Sequence, residues 1–118
     1  MSPEPTPSFS FSESDEPDGA LRLRLRGELD LTVVEPLRRR LDQLRSQRRR
    51  AVLDLAELEF IDSAGIMLFV TAANAARDDG GEFVLTQAQG EVERVLELTG
   101  LSEMLRFEPP RPDGESAA

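Results

Sequence analysis

The sequence predicts an α/β domain: a mixed β-sheet in the element order β-β-α-β-α-β-α-β, with helices packed mainly on one face. Three observations lead there. Residues 20–26 read ALRLRLR, a strict alternation with the period of a strand that buries one face. Apolar positions recur at helical spacing over 34–44 and again over 63–78, with short apolar runs of strand character before and after the second stretch. Strands joined through a helix need right-handed crossovers and so run parallel, whereas two strands joined by a turn form a hairpin.

Taken in order, Phe9 and Phe11 alternate with Ser8, Ser10 and Ser12 as a first strand, and Ser14 to Gly19 supplies turn chemistry. The second strand puts Leu21, Leu23 and Leu25 on one side and Arg22, Arg24 and Arg26 on the other, so one sheet face must be wet or salt-bridged. Thr32 and Glu35 have capping-box spacing ahead of the stripe Val34, Leu37, Leu41 and Leu44. Pro36 would cost that helix its first intrahelical bond, which moves the cap later than Thr32. The run from Ala51 to Leu55 is a strand with Val52 and Asp54 on the face opposite Ala51, Leu53 and Leu55, where Asp54 can meet an arginine of a neighbouring strand. Glu57 to Phe60 reads as an acidic connection.

A long helix then runs from Ser63 to about Asp78. It is apolar nearly all round over Ala64 to Ala73, which fits either a partner on its outer face or burial on two sides by its own domain. Asp79-Gly80-Gly81 ends it, Glu82 to Thr86 forms another strand, and Val92, Val95, Leu96 and Thr99 mark a short helix closed by Gly100. Met104 to Phe107 is expected as a last strand. The Pro-, Ser- and Glu-rich ends, 1–7 and 109–118, are expected to be flexible tails around a domain over 8–108.

Composition narrows the chemistry. A chain of 118 residues has room for one domain, which buries roughly two-thirds of its unfolded surface. Cysteine and histidine are both absent, which removes disulfides, thiolate nucleophiles, Ser-His-Asp triads and zinc sites built on those residues. A net charge of -9 argues against nucleic acid as a direct partner. The triplets Arg38-Arg39-Arg40 and Arg48-Arg49-Arg50 flank one helix among acidic neighbours and read as a solvated face, with protein docking open to some of them. Neither a signal-peptide pattern nor a run of roughly 20 apolar residues occurs, so a cytoplasmic location without a membrane span is expected.

The junction at Leu53 to Ile66, LDLAELEFIDSAGI, carries the functional signal. Ser63 stands at a helix N-terminus, where unpaired N–H groups and the macrodipole receive an oxyanion well. The alternative is that Asp62 or Ser63 serves only as an N-cap. A second strand tip, Gly27-Glu28-Leu29-Asp30-Leu31, also ends in an acidic residue before a helix, and such tips gather on one edge of a doubly wound sheet. Taken alone, Gly27 there is a turn residue and Asp30 or Thr32 a cap. A hydrolase built on Ser63 would lack a histidine or lysine base, and no glycine precedes the serine by two residues as a nucleophile elbow requires.

Together GELDL at 27–31, AVLDL at 51–55 and FIDSAGI at 60–66 resemble the STAS domain of bacterial anti-sigma factor antagonists, in a match extending over about 9–107. The resemblance implies a single STAS-type domain that is non-catalytic and needs no cofactor. It implies that Ser63 is phosphorylated by an anti-sigma factor that is itself a serine kinase, and dephosphorylated by a PP2C-type phosphatase. In such proteins the unphosphorylated form captures the kinase and frees a sigma factor. By position, Asp62 is the acidic neighbour of the phosphosite, Gly65 the small residue of the same turn, and Asp30 the acidic residue of the neighbouring loop. Ala64 replaces the second hydroxyl residue often found after the serine. The docking surface would comprise Asp30, Asp62, Ser63, Ala64 and Gly65, with Met67 as apolar anchor. The other role compatible with the resemblance is a constitutive STAS scaffold, or a soluble partner of a membrane transporter, that is never phosphorylated.

Overall fold

A computed structural model describes residues 9–79 and 81–109. The elements are β1 (Phe9–Asp15), β2 (Leu21–Leu29), α1 (Val34–Ser46), β3 (Ala51–Ile61), α2 (Ser63–Asp78), β4 (Phe83–Leu85), α3 (Gly90–Leu98) and α4 (Leu101–Met104). They form one four-stranded sheet in the order β1-β2-β3-β4. The β1–β2 hairpin is antiparallel, and β2–β3 and β3–β4 are parallel, as helix-linked strands must be. The expected tails at 1–7 and 109–118 lie outside the described residues, save Pro109.

The leucines of ALRLRLR enter the core as their alternation requires. Leu21, Leu23, Leu25, Leu53 and Leu55 share one apolar cluster with Leu37, Leu41 and Leu44 of α1, Leu68 and Phe69 of α2, and Val92 and Leu96 of α3. The arginines between them face the other way, where Arg22 is buried. Its guanidinium donates to both carboxylate oxygens of Glu16 at 3.2 Å, to Asp54 Oδ2 at 3.0 Å and to Glu108 Oε2 at 3.1 Å. Burial works against the charge on Arg22, but Glu16 and Glu108 hold its pKa above the ordinary arginine value. Arg24 Nε reaches the same Asp54 oxygen at 3.3 Å, and Arg26 pairs with Glu57 at 3.1 Å. This sheet face is therefore salt-bridged, and Asp54 does meet arginines of the neighbouring strand.

Four expected boundaries change. The segment Glu57 to Phe60 is not a connection but the second half of β3, which pairs with β2 as far as Leu29 opposite Ile61. The register shifts twice, between Arg24 and Arg26 and between Gly27 and Glu28, with the extra residue in β3 each time. Each shift turns the strand over by one residue, so Leu58 and Ile61 are both buried at a spacing of three and the alternation that marks a strand is lost. The capping box also fails: α1 begins after Val33, which makes no side-chain cap, because Thr32 bonds to Asp30 instead. Pro36 then falls third in the helix, among the first-turn positions whose N–H has no intrahelical partner, and costs nothing there.

The last expected strand, Met104 to Phe107, is reduced to a single bridge between Phe107 and Leu85. Gly100 takes a left-handed φ of 79° and ends α3, and the chain turns once more as α4. One helical turn puts Leu101 and Leu105 on one side, and both are buried in the core. The strand expected over Glu82 to Thr86 is shorter, Phe83–Leu85.

Candidate functional site

The carboxyl ends of β2 and β3 meet, and Asp62 joins them. Its backbone N–H donates to Leu29 O at 3.1 Å, which continues the β2–β3 pairing to the last residue before α2. Its side chain then divides. Oδ1 accepts from the Ala64 and Gly65 amides at 2.9 and 3.1 Å, capping α2, while Oδ2 accepts from the Leu31 amide of the other tip at 3.1 Å. One carboxylate thus satisfies two orphan donors of its own helix and one donor 31 residues away in the chain.

Asp30 organises the opposite tip without reaching Ser63. Its Oδ1 accepts from Thr32 N at 2.9 Å and Thr32 Oγ1 at 2.6 Å, and its carbonyl accepts from Val33 N at 3.1 Å, a turn that presents Leu31 outward. Gly65, expected in the docking surface, is instead buried and fixed by packing. A Cβ there would lie 2.7 Å from Ile61 Cγ1 and 3.0 Å from Leu29 Cγ, so only glycine lets the start of α2 lie this close to the strand tips.

Ser63 follows Asp62 as the first residue of α2 and is exposed. Its hydroxyl makes no hydrogen bond among the described residues, and the cap of α2 is Asp62, not Ser63. The expectation that helix amides converge to receive an oxyanion is corrected here: the Ala64 and Gly65 amides are already taken by Asp62, and of the first-turn donors only that of Ser63 itself remains. The cap and the candidate phosphosite are two adjacent residues with separate tasks.

The outward surface around Ser63 is apolar and acidic. Met67, one turn along α2, is 62% exposed, Leu31 72% and Phe60 41%, values unusual for large apolar side chains grouped at one end of a fold. Leu31 and Phe60 are additions to the sequence-based site. Leu31 was hidden among turn residues, and Phe60 in a stretch whose alternation the bulges erase. Glu28, Asp30, Glu59 and Asp62 lie at the same tips, and none forms an ion pair among the described residues. Along α2, Gly65, Leu68 and Phe69 are buried and Ile66, Val70, Ala72 and Ala73 half-buried against the core, so its apolar girth is largely covered by its own domain. The exposed positions of α2 are Ser63, Met67, Thr71, Asn74, Arg77 and Asp78.

A sheet of this order with an Asp-Ser pair starting the second helix at the joined strand tips is the geometry for which the sequence motifs were singled out. The STAS domain profile matches residues 12–114. The chain belongs to the STAS domain family. An anti-sigma F factor antagonist of Paenibacillus polymyxa is 32% identical over 89 residues, 74% of this chain and 76% of that protein. Among solved structures, an anti-sigma factor antagonist from Mycobacterium paratuberculosis superposes with a TM-score of 0.76 at 23% identity, covering 87% of each chain. The unphosphorylated form of the anti-sigma factor antagonist SpoIIAA gives a TM-score of 0.71 at 22% identity, covering 85% of this chain and 89% of that one. At such identities the structural likeness shows the STAS fold alone. Among the described residues of this STAS domain, no group of acidic side chains is placed to hold a metal ion, and no helix is long and apolar enough to cross a membrane.

Proposed function

We propose that this STAS domain is an anti-sigma factor antagonist whose partner is an anti-sigma factor serine kinase, and that phosphate on Ser63 governs the association. Relatives named anti-sigma factor antagonists support the class. The observation that carries the switch is the exposed Ser63 hydroxyl, without a hydrogen bond among the described residues, at the end of the fold where Met67, Leu31 and Phe60 are also exposed.

Unmodified, this end offers an apolar patch that a partner can desolvate. Phosphorylation adds about -1.5 to -2 charges at pH 7. Asp62, Asp30, Glu28 and Glu59 surround it with like charge, and the nearest helix amides are engaged by Asp62. The phosphate therefore stays hydrated and outward, and burying it against a partner without cations is costly. Moving a complex from almost fully bound to almost fully free takes about 5.5 kcal/mol of differential affinity. Charge placed at the centre of the patch is the physical source of that difference, and the backbone has no need to move. A PP2C-type phosphatase would reverse the modification in the cytoplasm. The protein contributes no catalysis: ATP and magnesium belong to the kinase.

The test is direct. Incubation with candidate kinases and ATP, read by intact mass, should add one phosphate to the parent chain and none to Ser63→Ala. Affinity for the captured kinase should be retained in Ser63→Ala and fall at least about tenfold in Ser63→Asp. A chain that binds its partners yet never gains phosphate would instead be a constitutive scaffold.

A further inference from the structure

The two edges of the sheet are finished differently. Beside β4 the chain returns: Leu85 N donates to Arg106 O and Glu108 N to Leu85 O, both at 2.9 Å, and that edge is covered. β1 forms the other edge over seven residues and pairs on one side alone, with β2. Among the described residues nothing bonds to its outward N–H and C=O groups, a row that accepts another strand.

The two halves of β1 differ in charge. Glu13 is held by Arg40 at 2.6 Å and Asp15 by Arg49, so the second half carries the charges with which exposed edges are commonly protected. Phe9, Ser10, Phe11 and Ser12 carry none. Ser10 stands opposite Arg26 and Ser12 opposite Arg24 in β2, and those arginines are engaged by Glu57 at 3.1 Å and Asp54 at 3.3 Å. On the core side Phe9 and Phe11 are half-buried, with ring centroids 6.2 Å apart. The first half of the edge is thus neutral and shows two phenyl rings that its own domain covers only in part.

Copies of a chain of net charge -9 repel one another and meet with least repulsion through a neutral surface. A two-fold contact must also match itself. Residues 9–12 satisfy both conditions. With two copies antiparallel and the two-fold axis at Ser10, Phe9 stands opposite Phe11 of the second copy, and Ser10 opposite its own equivalent. Directly opposed side chains share a face, so the phenyl rings of both copies line up on the core side and the hydroxyls on the other. No other centre on the strand sets both phenylalanines on phenylalanines: an axis at Phe11 puts Phe9 against Glu13, and an axis at Ser12 puts Phe11 against Glu13.

We propose that β1 is a dimerisation edge, where two copies of this chain pair antiparallel along Phe9–Ser12 about a two-fold axis at Ser10 and join two four-stranded sheets into one. The contact is short and belongs to the transient class that buries less than about 1,200 Å², so the dimer is reversible and forms at high protein concentration. Antiparallel pairing points the β2 and β3 tips of the two copies in opposite directions, which leaves both Ser63 surfaces open. The dimer does not depend on the phosphorylation reading.

Sedimentation equilibrium of the full chain at concentrations up to about 1 mM tests this and should show a monomer–dimer equilibrium. Added salt should tighten the dimer, because the copies repel and the contact holds no ion pair. Ser10→Lys sets like charges face to face at the axis and should weaken the dimer at least about tenfold, with the circular dichroism spectrum unchanged because Ser10 is exposed. Ser14→Lys, on the same face of the strand but outside the pairing, should leave it intact. The chain has no cysteine, so single cysteines report the register. At the axis, equivalent Cα atoms fall about 4.5–5.5 Å apart, within disulfide reach, whereas the two Ser14 positions lie about 26 Å apart along the strands. Under a mild oxidant Ser10→Cys should give a disulfide-linked dimer and Ser14→Cys should not. A monomer at every concentration, a dimer weakened by salt or undiminished by Ser10→Lys, or equal linkage of the two cysteine variants would overturn the proposal. So would a dimer lost in Met67→Ser and kept in Ser10→Lys, since the copies would then meet at the Ser63 end.

Discussion

Asp62 Oδ2 accepts the Leu31 amide at 3.1 Å while Oδ1 of the same carboxylate caps α2, so one side chain couples the turn after β2 to the helix that begins with Ser63. The turn that carries the exposed Leu31 is thereby tied to the residue preceding Ser63.

Removing that carboxylate should loosen both ends of the coupling. Asp62→Ala is expected to destabilise the fold by about 1–2 kcal/mol, through the lost cap and the stranded Leu31 amide. Urea unfolding measures the first effect, and faster hydrogen exchange at Leu31 reports the second. An unchanged Leu31 exchange rate would show that the turn stands on its own Asp30–Thr32 bonds.

Gly65 tests how tightly the helix start is set against the strand tips. In Gly65→Ala the new methyl meets Ile61 Cγ1 at 2.7 Å and Leu29 Cγ at 3.0 Å, both on buried side chains with little freedom to withdraw. A loss of about 1–3 kcal/mol in urea unfolding is expected, since alanine's helical preference cannot offset overpacking of that order.

Acid should weaken the outer sheet face through Asp54. Burial pushes its carboxyl up, but the Ala56 amide and the Arg22 and Arg24 guanidiniums outweigh that and hold it below the ordinary aspartate value. With a folded pKa below the unfolded one of about 3.9, the unfolded chain binds more protons between the two values. The contribution is complete above the unfolded pKa and is lost as pH falls through the folded one. Asp54→Asn should therefore cost about 1–3 kcal/mol at neutral pH and decline less steeply than the parent below about pH 4. Parallel declines of the two proteins would assign the acid sensitivity elsewhere.

Function and stability should separate at the exposed patch. Leu31→Ser and Met67→Ser remove apolar surface that the domain itself does not bury, so each should change unfolding free energy by less than about 0.5 kcal/mol. Partner affinity, measured by calorimetry with the captured kinase, should fall by about 1–2 kcal/mol for each. A large stability loss with unchanged affinity would place these side chains in the scaffold and not in the docking surface.

Signals that live within a few residues were legible in the chain before any coordinates. The leucine–arginine alternation of β2 placed its two faces, the Asp-Ser-Ala-Gly run marked the start of α2, and Asp54 was assigned arginine partners from parity alone. Strand and helix periods and caps are local, so a linear reading reaches them. The bulged second half of β3, the turn of α4 in place of a strand and the bond from Leu31 to Asp62 depend on which residue of a distant segment stands opposite. No local pattern encodes that choice. It is made when the sheet settles its register and the core closes, and it leaves Leu31, Phe60 and Met67 exposed at the end of the fold where α2 begins with Ser63.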